Sequence, residues 1–180
     1  RRIADLKARG IRFLAYANPY LAVDGELYAE AAAGGHFALR LDRDEPYLVD
    51  FGEFDCGVVD FTRAESRAWF AERVLGQEML DKGIDGWMAD FGEYLPVDLR
   101  LADGSDPMEA HNLWPVLWAE VNAMALASRG RTGDALFFMR AGFTGVQAHC
   151  PLLWGGDQSV DFSRHDGLVT VICGALSSGL

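Results

Sequence analysis

The chain has 180 residues, half of them hydrophobic, enough for one core and too few to require two. Its formal charge is −11 and no run of five or six basic residues occurs, so the clustered Lys and Arg that nucleic acid or an anionic membrane needs are lacking. No apolar run reaches the roughly 18 residues of a transmembrane helix. Cys56, Cys150 and Cys173 are far apart, with no C-x-x-C. Their odd number argues against a disulfide framework and for free thiols in a reducing, cytoplasmic compartment.

Residues 2–8 read as the end of a helix closed by Gly10. I-R-F-L-A-Y-A-N then predicts a buried strand over 11–17, stopped by Pro19. Residues 24–62 carry Gly34-Gly35 and short β-like pieces near 37–41 and 47–51, and read as an irregular excursion from a regular scaffold. A helix is expected over 63–82, with Thr62 as N-cap, Glu65 completing a capping box and Gly83 as its stop. I-D-G-W-M-A-D (84–90) predicts the next strand, followed by a loop over 91–107. A second long helix is expected over 108–128, kinked or delayed by Pro115. A-L-F-F-M-R (135–140) and P-L-L-W (151–154) read as strands, and 163–177 as a helix with Ser163 as its cap.

Short, continuous apolar strands alternating with helices indicate a parallel sheet covered on both faces. No G-x-G-x-x-G follows a strand and no G-x-x-x-x-G-K occurs, so nucleotide-binding folds lose support. Polar residues gather where the strands end: Asn18, Asp90, Arg140 and Asp157. In a (β/α)8 barrel that face carries the chemistry. The expected fold is therefore α/β, a fragment of a (β/α)8 TIM barrel with about four strand–helix units. The chain starts without methionine and stops inside A-L-S-S-G-L, so residues 1–180 are expected to be part of a catalytic barrel domain cut at both ends. The lack of a signal peptide then carries no information.

Asp90 follows Trp87-Met88-Ala89, and Asp157 follows Leu152-Leu153-Trp154-Gly155-Gly156. About two strand–helix units separate them, so both carboxylates can face one barrel mouth. A carboxylate pair beside an aromatic wall suits glycoside cleavage, in which one acid attacks or stabilises the anomeric carbon and the other protonates the leaving oxygen. The competing structural reading is that the acids cap loops or pair with arginine. Arg140 closes L-F-F-M-R either as a salt-bridge partner of a site acid or as a ligand for substrate oxygens. Trp87 and Trp154, each three residues before an acid, are candidate substrate platforms or core residues. Asp90 and Glu93 admit a metal reading, but His36, His111, His149 and His165 are scattered and form no zinc motif, so no metal is expected. No G-x-S-x-G occurs, and D-G-S-D-P (103–107) reads as a turn.

G-W-M-A-D-F-G-E-Y-L-P, F-F-M-R-A-G-F-T-G and L-L-W-G-G-D-Q-S-V-D resemble the signature blocks of family 31 glycoside hydrolases. With Y-L-V-D-F-G-E-F-D-C-G-V-V-D (47–60), they are most similar to the sulfoquinovosidase subgroup, over nearly the whole chain. The resemblance implies a (β/α)8 catalytic domain and a retaining, double-displacement mechanism without a cofactor. It implies Asp90 as nucleophile, Asp157 as general acid/base, Glu93 as the acid accompanying the nucleophile, and Arg140 near the sugar subsite. The implied substrate is a small-molecule α-glycoside: an α-sulfoquinovoside, or else an α-xyloside or α-glucoside. A homo-oligomer is compatible with this reading. Retention requires carboxyls roughly 5–5.5 Å apart. Asp90 must be ionised, and Asp157 must start protonated under apolar cover such as Trp154. A catalytically silent carbohydrate-binding barrel is the alternative of another class; the intact Asp90 and Asp157 argue against it.

Overall fold

The computed structural model describes residues 2–180. In chain order these form α1 (Arg2–Ala8), β1 (Leu14–Ala17), β2 (Tyr20–Ala22), α2 (Glu26–Ala33), β3 (Leu39–Arg40), β4 (Leu48–Asp50) and β5 (Asp55–Val58). Helix α3 (Ala64–Trp69) runs without a break into a π-helical segment, Phe70–Leu80. Then come β6 (Gly86–Ala89), β7 (Leu99–Arg100), α4 (Pro107–Ser128), β8 (Leu136–Phe138), a 3₁₀ turn (Val146–Ala148) and α5 (Leu168–Ser178).

The scaffold is a parallel sheet in the order β1-β6-β8, with Tyr16 opposite Met88 and Met88 opposite Phe138. A parallel bridge between Met139 and Leu153 adds a fourth position. The strand expected at 151–154 is reduced to this bridge, because Pro151 has no N–H to donate and Gly155-Gly156 follow at once. Four parallel positions, the first three joined by helices and the last by a 3₁₀ turn, are the expected segment of a TIM barrel.

Within residues 24–62, the β-like pieces expected near 37–41 and 47–51 are β3 and β4, and the excursion also holds α2 and β5, where irregular chain is expected. β2, β5 and β4 make one antiparallel sheet, and β3 pairs with β7. Strands of two to four residues are too short to display period-two alternation, and α2 (E-L-Y-A-E-A-A-A) owes its helix to alanine rather than to an apolar stripe.

Gly10 and Gly83 close their helices as expected, at φ 76° and 92°. The Thr62–Glu65 capping box does not form. Arg63 occupies the N-cap without a side-chain bond, while the Thr62 hydroxyl donates to Asp60 Oδ1 at 2.6 Å. Buried Asp60 also accepts from the Ala102 N–H at 2.7 Å, so it holds Thr62 for a longer-range tie. α4 is capped by Asp106, which accepts from the Met108 N–H, and it runs on through buried Pro115. α5 begins at Leu168 rather than 163, since Ser163 is held in a turn by Asp161.

The core joins the π-helical segment to α4. Phe61 stacks on Trp114 and Trp118 with centroids 5.5 and 5.6 Å away, and Phe70 meets Trp118 edge-on at 5.4 Å. Such pairs contribute about 0.5–1.5 kcal/mol each beyond the area they bury. Under β6, the Trp87 indole donates to Asn122 Oδ1 at 2.6 Å, and the Asn122 amide donates to the Trp118 carbonyl at 2.7 Å. Gly86 lets β6 and β8 approach, because a Cβ there would run into the Leu136 carbonyl oxygen. Gly86→Ala is expected to cost about 3 kcal/mol, read as a lower urea midpoint. An unchanged midpoint would mean that the strands part freely.

Apolar surface is left exposed at both edges: Phe13 and Leu14 on one side, and Ile172 and Leu176 of α5, which buries no residue, on the other. No helix among the described residues is long and apolar enough to cross a membrane.

Candidate active site

Alternation along β6 decides which side chains reach the barrel mouth. Trp87 and Ala89 point outward and are fully buried, whereas Met88 and Asp90 share the opposite face. The Asp90 N–H donates to the Ala17 carbonyl at 2.9 Å, so the sheet fixes its backbone. Asp90 Oδ2 accepts from the Tyr16 hydroxyl at 2.9 Å. Asp90 Oδ1 is buried and accepts no hydrogen bond. Arg140 Nε lies 3.3 Å from it, but that N–H is directed at Glu93 Oε1, 2.7 Å away.

Glu93 reaches Arg140 through an unusual backbone. Phe91, at φ 59°, and Gly92, at φ 104°, are both left-handed. For a phenylalanine this conformation is strained. It is held by packing: the Phe91 ring meets Tyr20, Phe51 and Tyr94 at centroid distances of 5.8, 5.7 and 5.5 Å. The same ring lies under the Arg140 guanidinium, 4.5 Å from Cζ to its centroid. Tyr20 and Phe51 come from the segment between β1 and α3, so that excursion shapes the mouth.

One guanidinium thus serves three acids. Arg140 Nη2 is 2.6 Å from Glu93 Oε1, and Nη1 is 3.7 Å from Asp157 Oδ2. Burial works against the Arg140 charge, but Glu93, Asp90 and Asp157 together raise its pKa above the usual value. The arrangement groups three carboxylates around one cation, with Asp90 and Glu93 held close and Asp157 at the edge of its reach. It fits the metal reading of Asp90 and Glu93 poorly, since Arg140 occupies the position a cation would take.

Asp90, Glu93, Arg140 and Asp157 are therefore brought together. The expected apolar cover over Asp157 is not supplied by the described residues: its side chain is 96% exposed, beyond the Gly155-Gly156 turn. It borders a cavity of about 510 Å³ that also includes Glu93, Arg140 and His111. Trp154 lines an adjoining cavity of about 440 Å³ and packs edge-on against Phe138 at 5.3 Å. Of the two readings of Trp87, the substrate platform is overturned and the core residue stands: it is 0% exposed and bonded to Asn122 beneath the sheet. An odd offset from Asp90 puts it on the opposite face of the strand.

Sequence reasoning missed Tyr16. Its signal was available, because Leu14, Tyr16 and Asn18 share one face of β1 and Asn18 marks that strand's polar end. Burial raises the Tyr16 phenol above its ordinary pKa, opposed by the Asn18 amide and reinforced by Asp90.

Comparison with known proteins identifies the family. The family model for the glycosyl hydrolases family 31 TIM-barrel domain matches residues 1–180. The chain is 68% identical to a sulfoquinovosidase of Agrobacterium fabrum over its whole length, covering 27% of that protein. It is 50% identical to a sulfoquinovosidase of Escherichia coli over 98% of the chain, covering 26% of that protein. A solved family 31 sulfoquinovosidase from E. rectale, in complex with an aza-sugar inhibitor, superposes with a TM-score of 0.92 at 56% identity, over 99% of this chain and 26% of that one. The chain thus spans about a quarter of the length of these relatives. It belongs to the family 31 glycosyl hydrolases, as a segment of their TIM-barrel domain.

Proposed function

We propose that this segment carries the catalytic acids of a retaining α-glycosidase that hydrolyses α-sulfoquinovosides, such as sulfoquinovosyl glycerol, to sulfoquinovose. The observation that carries the chemistry is Asp90: one oxygen is anchored by Tyr16, and the other is buried, unbonded and beside a cation that also reaches Asp157. The substrate class rests on 68% identity across the whole chain to a sulfoquinovosidase.

In this reading Asp90 Oδ1 attacks the anomeric carbon while Asp157 protonates the departing oxygen. Asp157 then takes a proton from the water that hydrolyses the glycosyl ester. Glu93 holds Arg140 in place, and no cofactor takes part. Residues 1–180 supply about four units of an eight-stranded barrel, and the remaining strands cover both apolar edges and enclose Asp157. Free Cys56, Cys150 and Cys173 favour a reducing, cytoplasmic setting.

The test compares hydrolysis of aryl α-sulfoquinovoside, α-glucoside and α-xyloside by the full-length protein, with Asp90→Asn as control. Strong preference for the sulfonated sugar, lost in the variant, is the expected result. Preference for xyloside or glucoside would keep the mechanism and overturn the substrate. No turnover of any of the three by folded protein would favour a carbohydrate-binding barrel.

A further inference from the structure

Asp90 Oδ2 has a proton donor that lies outside its own strand and loop. Tyr16 stands opposite Met88 on β1 and reaches diagonally to the carboxylate two residues on, its hydroxyl 2.9 Å from Oδ2. The direction of that bond is set by its neighbours. The Tyr20 backbone N–H can only donate, and it donates to Asn18 Oδ1 at 3.1 Å. The Asn18 amide group is thereby turned toward Tyr16, with Nδ2 3.4 Å from the phenol oxygen. An amide N–H can only donate, so the phenol oxygen accepts and its own proton is left for Asp90. A phenol is protonated through the neutral range, and the partial burial of Tyr16 raises its pKa further.

We propose that Tyr16, oriented by Asn18, is a positioning residue that speeds the second half-reaction, release of the sugar from Asp90. This rests on the retaining-glycosidase reading. In the first half, an Oδ1 lone pair forms the bond to the anomeric carbon. The bond to the aglycone oxygen breaks, and that oxygen takes the proton of Asp157. Oδ2 then changes from half of a carboxylate to a neutral ester carbonyl, a weaker acceptor, and its bond to Tyr16 loosens. In the second half, a water oxygen bonds to the anomeric carbon and gives its proton to Asp157. The electron pair of the carbon–Oδ1 bond returns to Asp90. Negative charge reappears on Oδ2, so the Tyr16 bond tightens as the transition state forms. Tyr16 therefore favours departure over attack, while its claim on Oδ2 leaves Oδ1 as the attacking oxygen.

The test uses Tyr16→Phe in the full-length protein with 4-nitrophenyl α-sulfoquinovoside. The phenyl ring is retained, so the fold should stand. Loss of a hydrogen bond to a developing charge is expected to lower kcat by about thirtyfold. KM should fall in parallel, leaving kcat/KM within about threefold of wild type, because kcat/KM ends at the first irreversible step. Intact mass after acid quenching at steady state should show most of the variant carrying one sulfoquinovosyl group. Asn18→Asp should give the same signature, since the new carboxylate only accepts and draws the phenol proton away from Asp90. A joint fall of kcat and kcat/KM without the adduct would overturn the proposal, as would unchanged kinetics. The two readings fail separately. A wild-type protein that turns over and a Tyr16→Phe variant without adduct sink only the role of Tyr16. A wild-type protein that hydrolyses no aryl α-glycoside sinks the glycosidase reading and the role of Tyr16 with it. Preference for a glucoside or xyloside moves the same measurements to that sugar.

Discussion

Asp90→Asn is expected to lower kcat/KM of the full-length protein by about four orders of magnitude or more. An amide is not a nucleophile, and its NH2 group cannot sit comfortably where Oδ1 now faces Arg140 Nε at 3.3 Å. The amide oxygen can still accept from Tyr16, so the side chain should keep its place and the fold its stability. That separation makes the variant informative. Melting temperature should stay near wild type while turnover vanishes, as followed with an aryl α-sulfoquinovoside. A loss smaller than about tenfold would remove Asp90 from the covalent step. A mechanism-based cyclitol should label wild type at Asp90 and leave the variant unlabelled.

Arg140→Met should have the second largest effect. The methionine fills much of the arginine volume but leaves Asp90, Glu93 and Asp157 facing one another without the cation that now meets each within 3.7 Å. Like charges left around one site without a counter-charge compete for protons. Because these acids favour the Arg140 charge, its removal is expected to move the acid limb of the pH–rate profile to higher pH. At neutral pH kcat/KM should fall by about a thousandfold. Stability has the opposite pH sense. Protonating one of the crowded acids relieves their repulsion, so the variant should gain melting temperature relative to wild type as pH drops from about 7 to 5. A uniform loss of activity at every pH would mean that Arg140 only packs.

The sequence made the scaffold legible because the barrel strands are short apolar runs ending in single polar residues. Asn18, Asp90, Arg140 and Asp157 could be placed at one face from that pattern alone. What escaped depended on contacts distant in sequence. The capping box at Thr62 lost to buried Asp60, whose tie to Ala102 no local window contains. Trp87, open in the sequence between platform and core, is settled by strand parity, which puts it under the sheet. The left-handed Phe91 has no local signature, because a phenylalanine takes φ 59° only where surrounding rings enforce it.

The two left-handed residues, Phe91 and Gly92, also limit how this mouth can vary in length. Between Asp90 and Glu93 the chain takes two left-handed residues in succession, and that turn returns the Glu93 carboxylate to Arg140. One inserted or deleted residue would swing Glu93 off the guanidinium and expose the face of Arg140 that Phe91 now covers. Loop grafting that aims to change the aglycone should therefore treat residues 90–93 as an indivisible unit. The first point at which new chain could enter lies beyond Leu95, which is buried and anchors the far end of the turn.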